Sequence, residues 1–225
     1  MLILFFILLL FVGFVMWFLQ LPQFGKAPSG ERLQRIKQSP HYQDGAFVNE
    51  SPTPTFSEGH TFGGVLYSFL FAKKTDVKPK EIIPSAFTNL HQLPAEADVL
   101  VWLGHSAYFL QIGGLKFLVD PVFSGNASPV PGSNQAFKGS DVYRVEDVPA
   151  IDYLLITHDH YDHLDYQTVK ALNGKVKYVI CGLGVGAHLE RWGYPVGRII
   201  EKDWKESLIL EKGQILHILP TRHFS

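Results

Sequence analysis

A chain of 225 residues with 20 Lys and Arg against 21 Asp and Glu has a formal net charge of −1, and no basic run offers a nucleic-acid surface. The length suits one domain with a sizeable core plus an appendage, and the 13% aromatic content fits either a well-packed core or a lipid-facing surface. The single cysteine, Cys181, excludes an internal disulfide; inside an apolar strand pattern it reads as a buried packing residue.

Residues 2–19 form an uninterrupted apolar run, at the lower edge of the length that spans a bilayer as a helix, with Trp17 suited to the interface. No Lys or Arg precedes the run, and no small residue follows it in Gln20-Leu21-Pro22-Gln23-Phe24, so the expectation is an uncleaved transmembrane anchor over residues 1–21. Lys26, Arg32, Arg35 and Lys37 then predict a single-pass membrane protein with the rest of the chain in the cytoplasm. Residues 22–95 read as linker and N-terminal extension. Residues 30–37 make a short helix stopped before Pro40, and Ser51-Pro52-Thr53-Pro54-Thr55 is a stiff connector. Whether this part is a free linker or packs on the rest is left equal. Residues 62–71 are apolar and aromatic; they fit a helix or a strand, with core packing expected.

The sheet region begins at residue 99. Segments 108–112 and 115–119 are separated by Gly113-Gly114, a hairpin signal, and Asp120 ends the second strand before Pro121. His105, in the turn Gly104-His105-Ser106, could reach a site or simply be satisfied by backbone; the two readings weigh equally. Residues 125–139 are loop-like. Residues 151–156 read as a buried strand and 166–172 as a helix behind a capping Asp165. Between them, from His158 to Asp165, lie three His and three Asp. His158 and His160 are two apart, so an extended backbone turns both imidazoles to one side, where they can share a metal. Asp162 and His163 follow where the chain turns and can face a second metal. Two metals about 3.5–4 Å apart can activate water and clamp a phosphoryl or acyl oxygen. Residues 176–181 are a strand and 184–192 helical, with His188 expected at the surface. Two strands follow, at 207–210 and 214–219, and His223 falls just beyond the second.

His158-x-His160-x-Asp162-His163 matches the HxHxDH signature of the metallo-β-lactamase superfamily. Trp102-Leu103-Gly104-His105-Ser106, the run from Phe117 through Asp120 and Pro121 to Ser124, and Pro220-Thr221-Arg222-His223 resemble one branch of it. That branch comprises the N-acyl-phosphatidylethanolamine-hydrolysing phospholipase D enzymes and their bacterial relatives; the resemblance covers residues 98–225. It implies an α/β fold, the αββα sandwich of the superfamily, with only its first half expected here, so that a domain over 96–225 is C-terminally incomplete. It implies His158, His160 and His223 on a first metal, Asp162 and His163 on a second, and Asp120 supporting the metal loop by hydrogen bonds. Asp162 is the residue carried as catalytic, binding the second metal, with a general-acid role given less weight. Two further ligands, an Asp and a His, are expected downstream of this chain. The implied cofactors are two zinc ions, although iron and manganese accept such ligands. The implied function is a membrane-anchored phosphodiesterase of phospholipase D type. The alternatives are a lactonase or esterase on the same metals, or a truncated, inactive metal-binding membrane protein. The partners expected are a phospholipid or other phosphodiester substrate and the membrane, with no nucleic acid.

Overall fold

A computed structural model describes residues 2–223. The centre of the molecule is a six-stranded mixed sheet in sequential order: β3 (Val99–Gly104), β4 (Ala107–Ile112), β5 (Leu115–Val119), β6 (Ile151–Ile156), β7 (Val176–Gly182) and β8 (Ile199–Lys202). β3 pairs with β4 and β4 with β5 antiparallel, and the pairs from β5 to β8 are parallel, with Leu118 opposite Leu154 and Leu154 opposite Val179. Gly113 (φ +55°) and Gly114 (φ +71°) close the hairpin between β4 and β5, in a backbone region that side chains disfavour.

Alternation along the strands separates two apolar layers. On one face Phe109, Leu118, Leu154, Ile156 and Val179 pack on Val169 and Leu172 of α4 (Tyr166–Leu172) and Leu189 of α5 (Gly186–Arg191). On the other, Phe117, Tyr153 and Ile180 meet Leu208, Leu210 and Leu216 from the hairpin of β9 (Ser207–Ile209) and β10 (Ile215–His217). Buried Asp165 caps α4 by accepting from Gln167 N, and also takes Ser124 N, tying the loop after β5 to the helix. Cys181 is buried in β7, where burial pushes its thiol far above the ordinary value.

The N-terminal part corrects two expectations. α1 (Leu2–Phe18) has 17 residues, roughly 25 Å at a helical rise of about 1.5 Å, short of a hydrocarbon core of about 30 Å. Among the described residues no helix is long and apolar enough to cross a membrane, so the single-pass anchor over residues 1–21 is overturned. The assignment to the membrane with a cytoplasmic catalytic domain loses its basis with it. The physical reason lies in the sequel: Pro22 opens a 3-10 turn, and the chain binds at once to α5. Arg191 Nη2 donates to Gln20 O (2.6 Å), Trp192 Nε1 to Pro22 O (2.8 Å) and Lys26 N to His188 Nδ1 (2.9 Å). His188, expected at the surface, is thus largely covered.

The extension after it is not a free linker. α2 (Gly30–Gln38) buries Ile36, and its Arg32 bridges Glu190 and Glu201, both at 2.6 Å. A short hairpin follows, β1 (Tyr42–Gln43) with β2 (Ala46–Phe47). Residues 62–71 become helix α3 (Phe62–Phe71), capped by Thr61, which accepts from Gly64 N. None of its residues is buried, contrary to the core packing expected of them.

Candidate metal centre

The order of the sheet puts the turn between β3 and β4 and the C-terminal ends of β5, β6 and β7 at one edge. The site is built there. After Ile156 the chain leaves the sheet for a loop without regular structure, closed by a turn in which His163 N and Leu164 N both donate to His160 O (2.9 and 2.8 Å). Leu164, 3% exposed, pins the loop to the core.

Two groups of side chains face each other across this loop. His158, His160 and His223 bring one nitrogen each to within 4.8 Å of one another. Their ring centroids lie 4.4–4.8 Å apart, and His160 Nδ1 is 3.0 Å from His223 Nε2. His105, Asp162 and His163 form a second set on the same criterion. His105 Nε2 is 3.0 Å from Asp162 Oδ2, and His163 Nε2 is 3.7 Å from the same oxygen. The sets adjoin through His158 and His163, whose centroids are 4.1 Å apart.

Asp120 holds the loop from behind. It is 2% exposed, and its carboxylate accepts from Thr157 N (2.8 Å), Thr157 Oγ1 (2.6 Å) and His163 Nδ1 (2.9 Å). A carboxylate only accepts, so Nδ1 of His163 carries a proton, and in the neutral ring the lone pair is on Nε2, the nitrogen nearer Asp162. Asp120 (φ +41°) and His105 (φ +45°) are both non-glycine residues in the left-handed region, and both border the site.

Electrostatics follow from crowding. Burial, then the neighbouring His163, His223 and His160, lower His158 to about 4, so it is neutral at physiological pH. Burial raises Asp162, but the hydrogen bond from His105 and the nearby His163 outweigh it and hold the carboxyl below its ordinary value. His158 Nε2 is buried without a hydrogen-bond partner. A buried polar atom in that state costs about 1–3 kcal/mol. Imidazole nitrogens converging with an ionised carboxylate beside them are a donor set that a divalent metal satisfies. The residues present therefore fit a metal.

The structure brings His158, His160, Asp162, His163, His223 and Asp120 to one place. Spacing in the chain did not reveal Asn49. Its Oδ1 accepts from His223 N (3.0 Å) and its Nδ2 donates to His223 O, a two-point hold on the backbone of a histidine 174 residues away. Arg222 Nε donates to Thr53 Oγ1 (3.0 Å) beside it. His105 joins the site as well; a lone His in a turn carries no local signal for a partner 57 residues on.

Residues 116–225 match the family model described as the Beta-lactamase superfamily domain. These residues belong to the beta-lactamase superfamily. An uncharacterized protein of Mycobacterium tuberculosis is 38% identical over 190 residues, covering 84% of this chain and 51% of the relative. The N-acyl-phosphatidylethanolamine-hydrolyzing phospholipase D 1 of Caenorhabditis elegans is a more distant match, 33% identical over 136 residues, 54% of this chain and 36% of that one. Among solved structures, a diiron beta-hydroxylase from Streptomyces venezuelae shares 34% identity at a TM-score of 0.39, over 52% of this chain and 22% of its own. The chain spans about half the length, 51%, of the mycobacterial relative. His105 and Asn49 lie outside the matched residues 116–225.

Proposed function

We propose that this chain supplies the metal centre of a zinc-dependent hydrolase whose substrates are phosphodiesters of the N-acyl-phosphatidylethanolamine class. The observation that carries the reading is the convergence of His158, His160 and His223 beside Asp162 and His163, with the buried Nε2 of His158 left without a partner. In this reading residues 96–225 form the catalytic domain, with residues 22–95 as an extension packed on it. His158, His160 and His223 hold one metal; Asp162 and His163 hold another. Bound zinc of this kind acidifies water and polarises a phosphoryl oxygen.

The chain's own residues do the rest. Asp120 keeps the proton of His163 on Nδ1, leaving Nε2 as a donor to metal. Asp162, held ionised, brings the negative charge that two cations need. Asn49 fixes the backbone of His223. A cavity of about 1250 Å³ opens beside His158 and His163, walled by Val119, Leu155, Ile180, Leu216 and Ile218. Apolar walls behind a His and Asp rim suit a substrate with a charged linkage and an acyl tail. The phospholipase D relatives support the same substrate class.

The test compares N-acyl-phosphatidylethanolamine with a lactone, using one zinc-loaded preparation. Water should cleave the phosphodiester to phosphatidate and an N-acylethanolamine, and His160→Ala should abolish turnover. Cleavage of the lactone alone overturns the phosphodiester reading. If His160→Ala alters metal content and no hydrolysis exists to lose, the chain is a metal-binding module instead.

A further inference from the structure

We infer that the N-terminal extension is part of the first metal's site. Asn49 is a positioning residue for His223, and through it the hold of α2 on α5 and β8 sets how tightly His158, His160 and His223 take a metal. This rests on the metal reading above and extends it to residues 30–53.

His223 stands beyond the sheet. The β9–β10 hairpin is tied as far as Ile218, whose N donates to Glu206 O (2.9 Å) and whose O accepts from Lys205 N (2.7 Å). Two residues on, Pro220 has no N–H to continue a ladder. Leu219, Thr221 and Arg222 are exposed, so burial does little to fix the backbone that presents the imidazole. His158 and His160 differ in this respect, because buried Asp120 and Leu164 pin their loop.

The extension supplies the fixing. A carboxamide carries an acceptor and a donor side by side, as a peptide group does. Asn49 uses both on one residue: Oδ1 accepts from His223 N (3.0 Å) and Nδ2 donates to His223 O. Arg222 Nε donates to Thr53 Oγ1 (3.0 Å), and Pro52 stiffens the chain between the two contacts. The gripped histidine lies with its ring centroid 4.4 Å from that of His158 and 4.7 Å from that of His160.

Asn49 is itself held by a row of contacts along α5, β8 and the hairpin. Glu50 Oε1 meets Lys205 Nζ at 2.5 Å, the rings of His41 and Trp204 are 4.9 Å apart, and Arg35 Nη2 is 3.3 Å from Glu206 Oε2. Exposed ion pairs of this kind contribute little singly. The firmer hold is at α2, where Ile36 is buried and Arg32, 17% exposed, bridges Glu190 and Glu201. Glu201 is fixed in turn, its Oε1 accepting from Gly184 N (2.6 Å) and Gly186 N (3.3 Å). Docking of α2 therefore favours the backbone position from which His223 meets the other two histidines. Coupling between two equilibria is reciprocal, so bound metal favours docking of the extension by the same factor. The rival is a plain staple, in which Asn49 fastens the extension and the hairpin alone places His223.

The experiment uses the full chain and zinc alone. Zinc affinity is read by competition against a fluorescent chelator, and hydrogen–deuterium exchange by mass spectrometry. In the wild type, zinc should slow exchange over residues 41–53 by about tenfold relative to chelator, a comparison that needs no variant to fold. Asn49→Ala should weaken zinc by about tenfold and abolish that added protection. Arg32→Ala should weaken zinc by at least about fivefold, yet add nothing in the Asn49→Ala background, because its effect passes through Asn49. Zinc binding by Asn49→Ala within about twofold of the wild type overturns the inference. So do equal effects of Arg32→Ala in both backgrounds, no effect of it in the wild type, or exchange over 41–53 that ignores zinc. Each of these leaves the metal reading standing. Zinc affinity unmoved by His160→Ala means that this histidine set does not hold the metal, and then both fall.

Discussion

Asp120→Asn isolates the support behind the metal loop with little change of shape. Asparagine tolerates the left-handed backbone at this position (φ +41°), so the backbone is not the variable. Asp120 offers four lone-pair sites and uses three: Oδ1 accepts from Thr157 N, and Oδ2 accepts from Thr157 Oγ1 and His163 Nδ1. An amide has one acceptor oxygen and a donor NH₂. With NH₂ at the Oδ1 position, two donors meet at Thr157 N. With NH₂ at the Oδ2 position, Thr157 Oγ1 can rotate to accept, but His163 must give up the proton on Nδ1 and carry it on Nε2. That nitrogen faces Asp162 and would no longer have a lone pair for a metal. Losing one charge-assisted bond in a site that is 2% exposed costs about 1.5–3 kcal/mol. For a chain of this size that is a fall in Tm of roughly 3–12 °C. Metal affinity should fall about 10–100-fold, the usual effect of an outer-sphere partner. Thermal unfolding in chelator, followed by circular dichroism, reads the first effect; zinc competition against a fluorescent chelator reads the second. An Asp120→Asn chain that melts with the wild type and binds zinc within about twofold of it refutes the tautomer argument.

Asn49→Ala removes both bonds to the His223 backbone and should weaken the first zinc equivalent by about tenfold while leaving the second alone; equal effects on both equivalents would show general unfolding instead. Arg32→Ala takes from Glu190 and Glu201 the cation they share, at side-chain exposures of 29% and 11%. The loss in urea denaturation should approach about 3 kcal/mol, the low end for a broken buried pair, and Glu201→Gln in the same chain should recover part of it. A cost indistinguishable from zero would mean that the extension does not hold to α5 and β8 through this residue. His188 is lowered from its ordinary 6.5 by burial, with Asp159 opposing, and its Nδ1 accepts from Lys26 N. Its folded value lies below its unfolded value, so the unfolded chain takes the proton first. The stabilisation is full above about pH 6.5 and is lost as pH falls toward the folded value. His188→Asn keeps an acceptor near Nδ1 without titrating, and its urea midpoint should vary less than that of the wild type between about pH 7 and 5; parallel curves would exclude His188 as the titrating group.

The parts legible in the sequence are those written locally. The apolar run at 151–156 and the glycine pair after 112 announce buried strands before any neighbour is known, whereas the two faces emerge only in the fold, where Leu118 and Leu154 bury on one side and Phe117 and Tyr153 on the other. Asp165 announces α4 because a cap acts on the amides that directly follow it. The cluster from His158 to His163 is readable for the same reason: one short loop carries most of the donors. Apolar content alone misleads at both N-terminal helices. Residues 2–19 have the composition of a span, but the helix ends at Phe18 and the next residues fasten to α5 through Arg191 and Trp192. Residues 62–71 have the composition of a core helix, yet nothing covers them among the described residues.

What only the tertiary structure decided is which distant residues complete the site. His105 reaches Asp162 because the antiparallel β3–β4–β5 meander, continued in parallel by β6, returns the β3–β4 turn to the strand edge where the metal loop starts. Asn49 reaches His223 because the extension folds back over the six-stranded sheet domain, held by Arg32 and Ile36. Periodicity and capping report on contacts within a few residues, where the backbone itself fixes the geometry. Contacts across 57 or 174 residues depend on the order of strands and on how the chain closes over them, and no local pattern encodes that.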